Sequence, residues 1–186
     1  MNTAAATAEH TKTMVMISLM AAVICILGPL SLAIPISPVP ISLTNLAVYF
    51  TMYVLGTKHG TISYLVYLLI GLIGIPVFSG FTGGPAKLLG PTGGYLIGFI
   101  CMTLISGLCI EHTENRNLHF LGMCLGTAVC YLFGTVWLPR LTGMSFNAAL
   151  GAGVIPFIPG DLAKIVIALL IGPTIRSRLR QAGLAA

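Results

Sequence analysis

Asp161 is the only aspartate in the chain, and it stands three positions before Lys164 in the run Pro156-Phe-Ile-Pro-Gly-Asp161-Leu-Ala-Lys164. On a helix that spacing turns the two side chains about 60° apart, so they share one face. The surrounding stretch is apolar, and an ionisable residue inside such a segment costs about 2.5–3.5 kcal/mol on insertion scales; it therefore tends to face a cavity or a partner. One alternative is mutual neutralisation, with Asp161 also favoured by the positive end of its helix. An apolar pair would do that structural job more cheaply, so a functional role is the stronger reading.

Two further features could carry function. Between Phe78 and Tyr95 the sequence holds six glycines and two prolines in 18 residues, a composition that argues for backbone folded tightly against something and against a helix. Non-helical backbone near a membrane is tolerated where it is buried in protein or lines a cavity, while an ordinary connecting loop stays open as the alternative. The glycines resemble a phosphate-binding loop only weakly: no GxxxxGK[ST] occurs, and Lys87 is followed by Leu88. In the first apolar run, Ser18-Leu-Met-Ala-Ala22 has the small-xxx-small spacing that lets another helix approach closely, either within the protein or from a partner.

Metal and enzyme chemistry have little support. Cys25, Cys101, Cys109, Cys124 and Cys130 all lie in apolar stretches without a CxxC, and His10, His59, His112 and His119 show no partnering spacing. No nucleophile–base pair or second carboxylate stands near Asp161, so neither a metal nor an organic cofactor is expected and the chain does not read as an enzyme.

These residues must be held by membrane helices. Of 186 residues 56% are apolar and 7% charged, with a mean hydropathy of +1.00; soluble domains carry about 25% charged residues. The formal charge of +5 does not signal nucleic acid, because the basic residues do not cluster with aromatics but fall at the ends of apolar runs. The single domain 1–186 is expected to be an all-α integral membrane protein with six transmembrane helices, at about 14–34, 41–57, 60–78, 93–110, 119–138 and 159–179. With the N-terminus in the cytoplasm, the inner segments carry Lys12, Lys58, Arg116, Arg176, Arg178 and Arg180. The outer loops carry Lys87 and Arg140, and Lys164 lies within a span. That asymmetry expects both termini in the cytoplasm, and places 35–40, 79–92 and 139–152 outside.

The segments, in this order, resemble the BioY family, the biotin-specific substrate-binding (S) components of energy-coupling-factor (ECF) transporters. The resemblance runs from about Pro38 to Ala168 and rests on Pro38-Val-Pro-Ile-Ser-Leu43, Leu55-Gly56 with Gly60, Gly71-Leu-Ile-Gly-Ile-Pro-Val-Phe78, Gly90-Pro-Thr-Gly-Gly-Tyr-Leu-Ile-Gly-Phe99, and Pro156-Phe157 with Asp161 and Lys164. The GPTGGY run and the PF…D…K spacing are its specific parts. One departure is that the family often has a glutamine after Pro-Ile-Thr-Leu, where this chain has Thr44 and then Asn45.

The resemblance implies an ECF S-component-like bundle in a bacterial cell membrane, with a biotin pocket near the outer face. The ureido ring of biotin offers two N–H donors and one carbonyl acceptor, and its tail ends in a carboxylate. Asp161 would accept the ring N–H bonds, and Lys164 would donate to the ring carbonyl or complete that network. Lys87 is the candidate for the tail carboxylate, and Tyr95 and Phe78 for packing on the ring and chain. Ser79, Thr92, Gly93, Gly94 and Asn45 complete the candidate site. The partners implied are a transmembrane coupling (T) protein and two ABC-type ATPases, with Ser18 and Ala22 as the docking position. A self-sufficient transporter, in which a proton gates the Asp161–Lys164 pair, is the alternative.

Overall fold

Gly28-Pro29 ends the first helix well before the apolar run stops. Proline has no N–H and pushes the residue before it out of the helical region, so the last turn of α1 (Thr3–Leu27) closes with the Gly28 N–H on Ile24 O at 2.7 Å. The structure is a computed structural model and describes residues 3–184. After α1 come β1 (Ser31–Leu32), β2 (Ile41–Ser42), α2 (Thr44–Leu72), α3 (Pro85–Leu89), α4 (Gly93–His112), α5 (Arg116–Thr142), α6 (Phe146–Gly153) and α7 (Ile158–Gln181). β1 and β2 pair antiparallel, Ser31 opposite Ser42 and Leu32 opposite Ile41, and clamp the Pro-rich turn between them.

The expected span at 14–34 is thus corrected: the helix ends at Leu27 and the remainder feeds a hairpin. The spans expected at 41–57 and 60–78 form one hydrogen-bonded element that folds back on itself at Gly56, whose φ of 70° and ψ of −170° are non-helical. Glycine takes that left-handed region without the Cβ penalty other residues meet. The reversal shows in the packing. A Cβ on Gly60 would lie 3.5 Å from Thr51 O, whereas nine residues of straight helix would separate them by about 13 Å. Glu111 fastens the turn by accepting the Thr57 N–H at 2.9 Å. The expected outer loop 139–152 contains the last turn of α5 and most of α6, whose first turn is capped by Ser145 Oγ accepting from the Ala148 N–H at 3.3 Å.

With α2 folded into two arms, six long rods run alternately between two ends of the bundle. At one end, Lys12 Nζ bonds Gly183 O, Arg176 bonds Ile110 O, and Arg180 pairs with Glu114 at 3.0 Å. That bond holds the Glu114 carboxyl below its usual range. At the other end lie the β-hairpin, the 73–92 segment and the α6–α7 turn, tied by Leu43 N to Leu30 O and Gly80 N to Pro29 O, both at 3.1 Å. Between the ends the interior is aromatic and sulfur-rich, with Tyr49, Tyr53, Tyr64, Tyr67, Met52 and Met102 fully buried.

The outer surface is apolar where a soluble protein would be charged: Val15, Leu19, Ile26, Leu69, Leu132 and Leu170 all point outward. Among the described residues, four helices (7–27, α4, α5 and α7) are long and apolar enough to cross a membrane. Lipid is the solvent such a surface requires.

Candidate functional site

The α7 helix begins at Ile158, so Asp161 falls in its first turn, with its own N–H on Phe157 O at 2.8 Å. The helix N-terminus favours an anionic side chain there. Lys164 Nζ donates to Asp161 Oδ1 at 2.9 Å and to Ser42 O on the β-hairpin at 2.6 Å. From α5, the Tyr131 hydroxyl donates to Asp161 Oδ2 at 2.6 Å. The pair is buried, Asp161 8% and Lys164 7% exposed, so each charge depends on these partners for the solvation water would give. Each Asp161 oxygen still has acceptor capacity, and one of the three Lys164 donors is uncommitted.

This cluster forms part of the wall of a cavity between the bundle and its hairpin end. Val39, Pro40, Tyr95, Leu96, Phe99, Met102 and Phe157 supply apolar and aromatic surface. Ser42, Thr44, Asn45, Tyr67, Ser79, Thr92, Thr127, Cys130 and Tyr131 supply polar groups beside Asp161 and Lys164. The cavity is a narrow slot of about 70 Å3. The Tyr67 hydroxyl is buried against this slot, within reach of the Thr44 side chain. Among the described residues no group of three or more His, Cys, Asp or Glu side chains could hold a metal ion.

Of the residues singled out from the sequence, Asp161, Lys164, Tyr95, Asn45, Ser79 and Thr92 line the cavity. Tyr95 is held there by donating to Gly153 O at 2.8 Å, and Asn45 Oδ1 accepts from the Leu46 N–H at 3.1 Å. Phe78, Lys87, Gly93 and Gly94 do not line it. Phe78 is fully buried behind the wall, edge-on to Tyr67 with ring centroids 5.5 Å apart. Lys87 stands half-buried on α3, and burial lowers its ammonium pKa. Gly93 and Gly94 serve close approach: a Cβ would fall 1.7 Å from Leu88 O on the first and 2.4 Å from Trp137 Cβ on the second. Ser18 and Ala22 sit on the exposed face of α1, with Ser18 Oγ turned back onto Met14 O at 2.9 Å. Tyr131 and Thr127 escaped sequence reasoning; their i, i+4 spacing on α5 puts them on one face, but nothing marked that face as interior.

The site is thus a narrow aromatic slot with a buried ion pair, set into one end of a helical bundle with an apolar exterior. Comparison with known proteins supplies the class. The chain matches the BioY family model over residues 1–181 and belongs to that family. It is 43% identical over 140 residues, 75% of this chain and 82% of the relative, to a probable biotin transporter BioY of Pyrococcus horikoshii. A biotin transporter BioY of Rhizobium etli is 37% identical over 174 residues, 87% and 91% of the two chains. The fold also superposes with a TM-score of 0.83 on the crystal structure, at 2.1 Å, of the S-component for biotin from an ECF-type ABC transporter. That chain is 33% identical, and the match covers 91% of this chain and 93% of that one.

Proposed function

We propose that this protein is a biotin-binding membrane subunit of an ATP-driven importer, a transport subunit and not an enzyme, with its pocket at the outer face of the membrane. The observation that carries the reading is the Tyr131–Asp161–Lys164–Ser42 chain of hydrogen bonds in the wall of an aromatic slot. The Asp161 carboxylate accepts the ureido N–H groups, and the free Lys164 donor takes the ureido carbonyl; both are charge-assisted bonds in a dry site. Tyr95, Phe99 and Phe157 pack on the bicyclic ring and the aliphatic tail. The Tyr67 hydroxyl and the Asn45 amide, both lining the cavity, add donors. Phe78 supports the wall through Tyr67, and Gly93 and Gly94 let α4 seat against its neighbours so that Thr92 and Tyr95 reach the slot. Lys87 approaches the tail carboxylate only if α3 shifts inward when ligand binds, closing the 73–92 segment over the cavity.

Both termini lie on the cytoplasmic side in this reading, with six spans formed by α1, the two arms of α2, α4, α5 and α7. Six of the nine Lys and Arg residues belong to the end remote from the cavity, as the positive-inside rule asks of a cytoplasmic face. Hydrolysis is left to two partner ATPases, reached through a coupling protein that docks on the Ser18/Ala22 face. The match to an S-component of an ABC transporter supports that partnership.

The test is titration of the purified chain in detergent with biotin, biotin methyl ester and riboflavin. Saturable binding of biotin and none of riboflavin is expected. Failure to bind biotin, alone and in the assembled complex, would overturn the reading. Uptake by cells that persists without the partner ATPases and collapses with the proton gradient would instead favour the self-sufficient transporter.

A further inference from the structure

On the outward face of the bundle, away from the solute cavity, α4 and α5 leave a groove of about 410 Å3 whose apolar walls are Ile97, Leu132, Phe133 and Val136. These side chains are exposed, so the groove is open to lipid. It runs from Leu132 to Arg140 along α5, roughly 12 Å at the helical rise, enough for the upper part of one acyl chain.

Its polar end, at the same end of the bundle as the solute cavity, is built from two residues. Trp137 is the only tryptophan in the chain, and its indole N–H is tied to Gly90 O at 3.0 Å, which fixes the ring at the groove mouth. Arg140 lies one turn further on, exposed, and forms no ion pair among the described residues. Charge complementarity there has to come from outside the protein. The chain has four acidic residues. Glu9, Glu111 and Glu114 belong to the opposite end of the bundle, and Asp161 is engaged by Lys164 and Tyr131. A guanidinium above an apolar groove, with an aromatic ring at the boundary, fits a phosphate over an acyl chain.

We propose that this groove binds one anionic phospholipid, its phosphate paired with Arg140 and one acyl chain lying along Leu132, Phe133 and Val136. The bound lipid would brace the outer ends of α4 and α5, the two helices that carry Tyr95 and Tyr131 into the solute cavity. The proposal does not depend on which solute fills that cavity.

Trp137 is a built-in reporter. The protein is reconstituted in phosphatidylcholine vesicles containing a small fraction of dibrominated phosphatidylglycerol or, separately, dibrominated phosphatidylcholine, and quenching of the Trp137 fluorescence is measured. Phosphatidylglycerol should compete for the site about fivefold better than phosphatidylcholine, the preference expected from about 1 kcal/mol for one basic residue near the surface. Arg140→Lys should keep most of that preference and Arg140→Gln should lose it. Inorganic phosphate at tens of millimolar should leave the quenching unchanged, since it brings no acyl chain. Equal quenching by the two lipids in the wild type would overturn the proposal, as would a preference that survives Arg140→Gln. Full displacement by inorganic phosphate would show a simple anion site and would refute the lipid.

Discussion

Asp161→Asn separates the structural from the ligand-binding role of the buried pair. The asparagine keeps the shape and one acceptor but removes the charge, leaving the Lys164 ammonium in the wall with Ser42 O, at 2.6 Å, as its firmest partner. Breaking a buried pair in this way costs about 3–5 kcal/mol of stability. The ligand loses a hydrogen bond to a charged acceptor, worth about 1.5–3 kcal/mol, which is roughly 10- to 150-fold in Kd. The two effects part company in the double variant Asp161→Asn/Lys164→Met. With both charges gone the uncompensated ammonium disappears, and stability should recover part of the loss seen in Asp161→Asn alone, since no buried charge is left without its partner. Biotin affinity should stay low, since the acceptor for the ureido N–H groups is still missing. Calorimetric titration of biotin gives the affinities, and thermal unfolding of the same samples in detergent gives the stabilities. Wild-type affinity in the double variant would refute the reasoning, because it would mean the pair matters only by neutralising itself.

Three other outcomes follow from the geometry. Lys87→Ala should weaken biotin several-fold while sparing biotin methyl ester. In the wild type that difference should vanish as rising pH passes the lowered Lys87 pKa and the ammonium is lost; equal losses for both ligands would remove Lys87 from the carboxylate. Ala22→Leu places a bulky side chain on the exposed face of α1 and should abolish co-purification with the coupling protein while leaving biotin titration unchanged; lost binding would point to internal packing instead. Gly56→Ala forces a Cβ into a turn at φ of 70° and ψ of −170° and should cost about 1–3 kcal/mol, seen as a lowered unfolding temperature; an unchanged one would mean the turn relaxes to another conformation.

The charged pair was legible in the sequence because its context is so sparse in charge: one aspartate and one lysine in an apolar helix stand out whatever the fold. The residues that complete the pair were not. Tyr131 and Thr127 look like any other polar residues of a membrane helix, and only the packing of α5 against α4 and α7 reveals that they face the cavity. Ser42 takes part through its carbonyl oxygen, which every residue has, so no side-chain pattern could have pointed to it.

Hydropathy failed where local backbone chemistry outweighed it. Residues 28–34 are as apolar as the helix before them, but Gly28-Pro29 stops the helix and the following residues pair with 41–42. At Gly56 the reverse occurred: the break between two expected spans shrank to a single residue, because a positive φ turns the chain sharply enough to dispense with a loop. Residue type alone also could not say which side of a wall an aromatic occupies. Phe78 and Tyr95 come from the same Gly-rich stretch, yet one packs behind Tyr67 and the other faces the slot. The glycines of the GPTGGY run show the same ambiguity. A glycine-rich turn beside a pocket suggests backbone touching a ligand, whereas here a Cβ on either Gly93 or Gly94 would strike Leu88 O or the Trp137 side chain. Their contribution to binding is indirect: by letting α4 and α5 meet closely, they set the height at which Thr92 and Tyr95 enter the cavity. A glycine-to-alanine change there would therefore alter ligand affinity through helix spacing, without removing a single ligand contact.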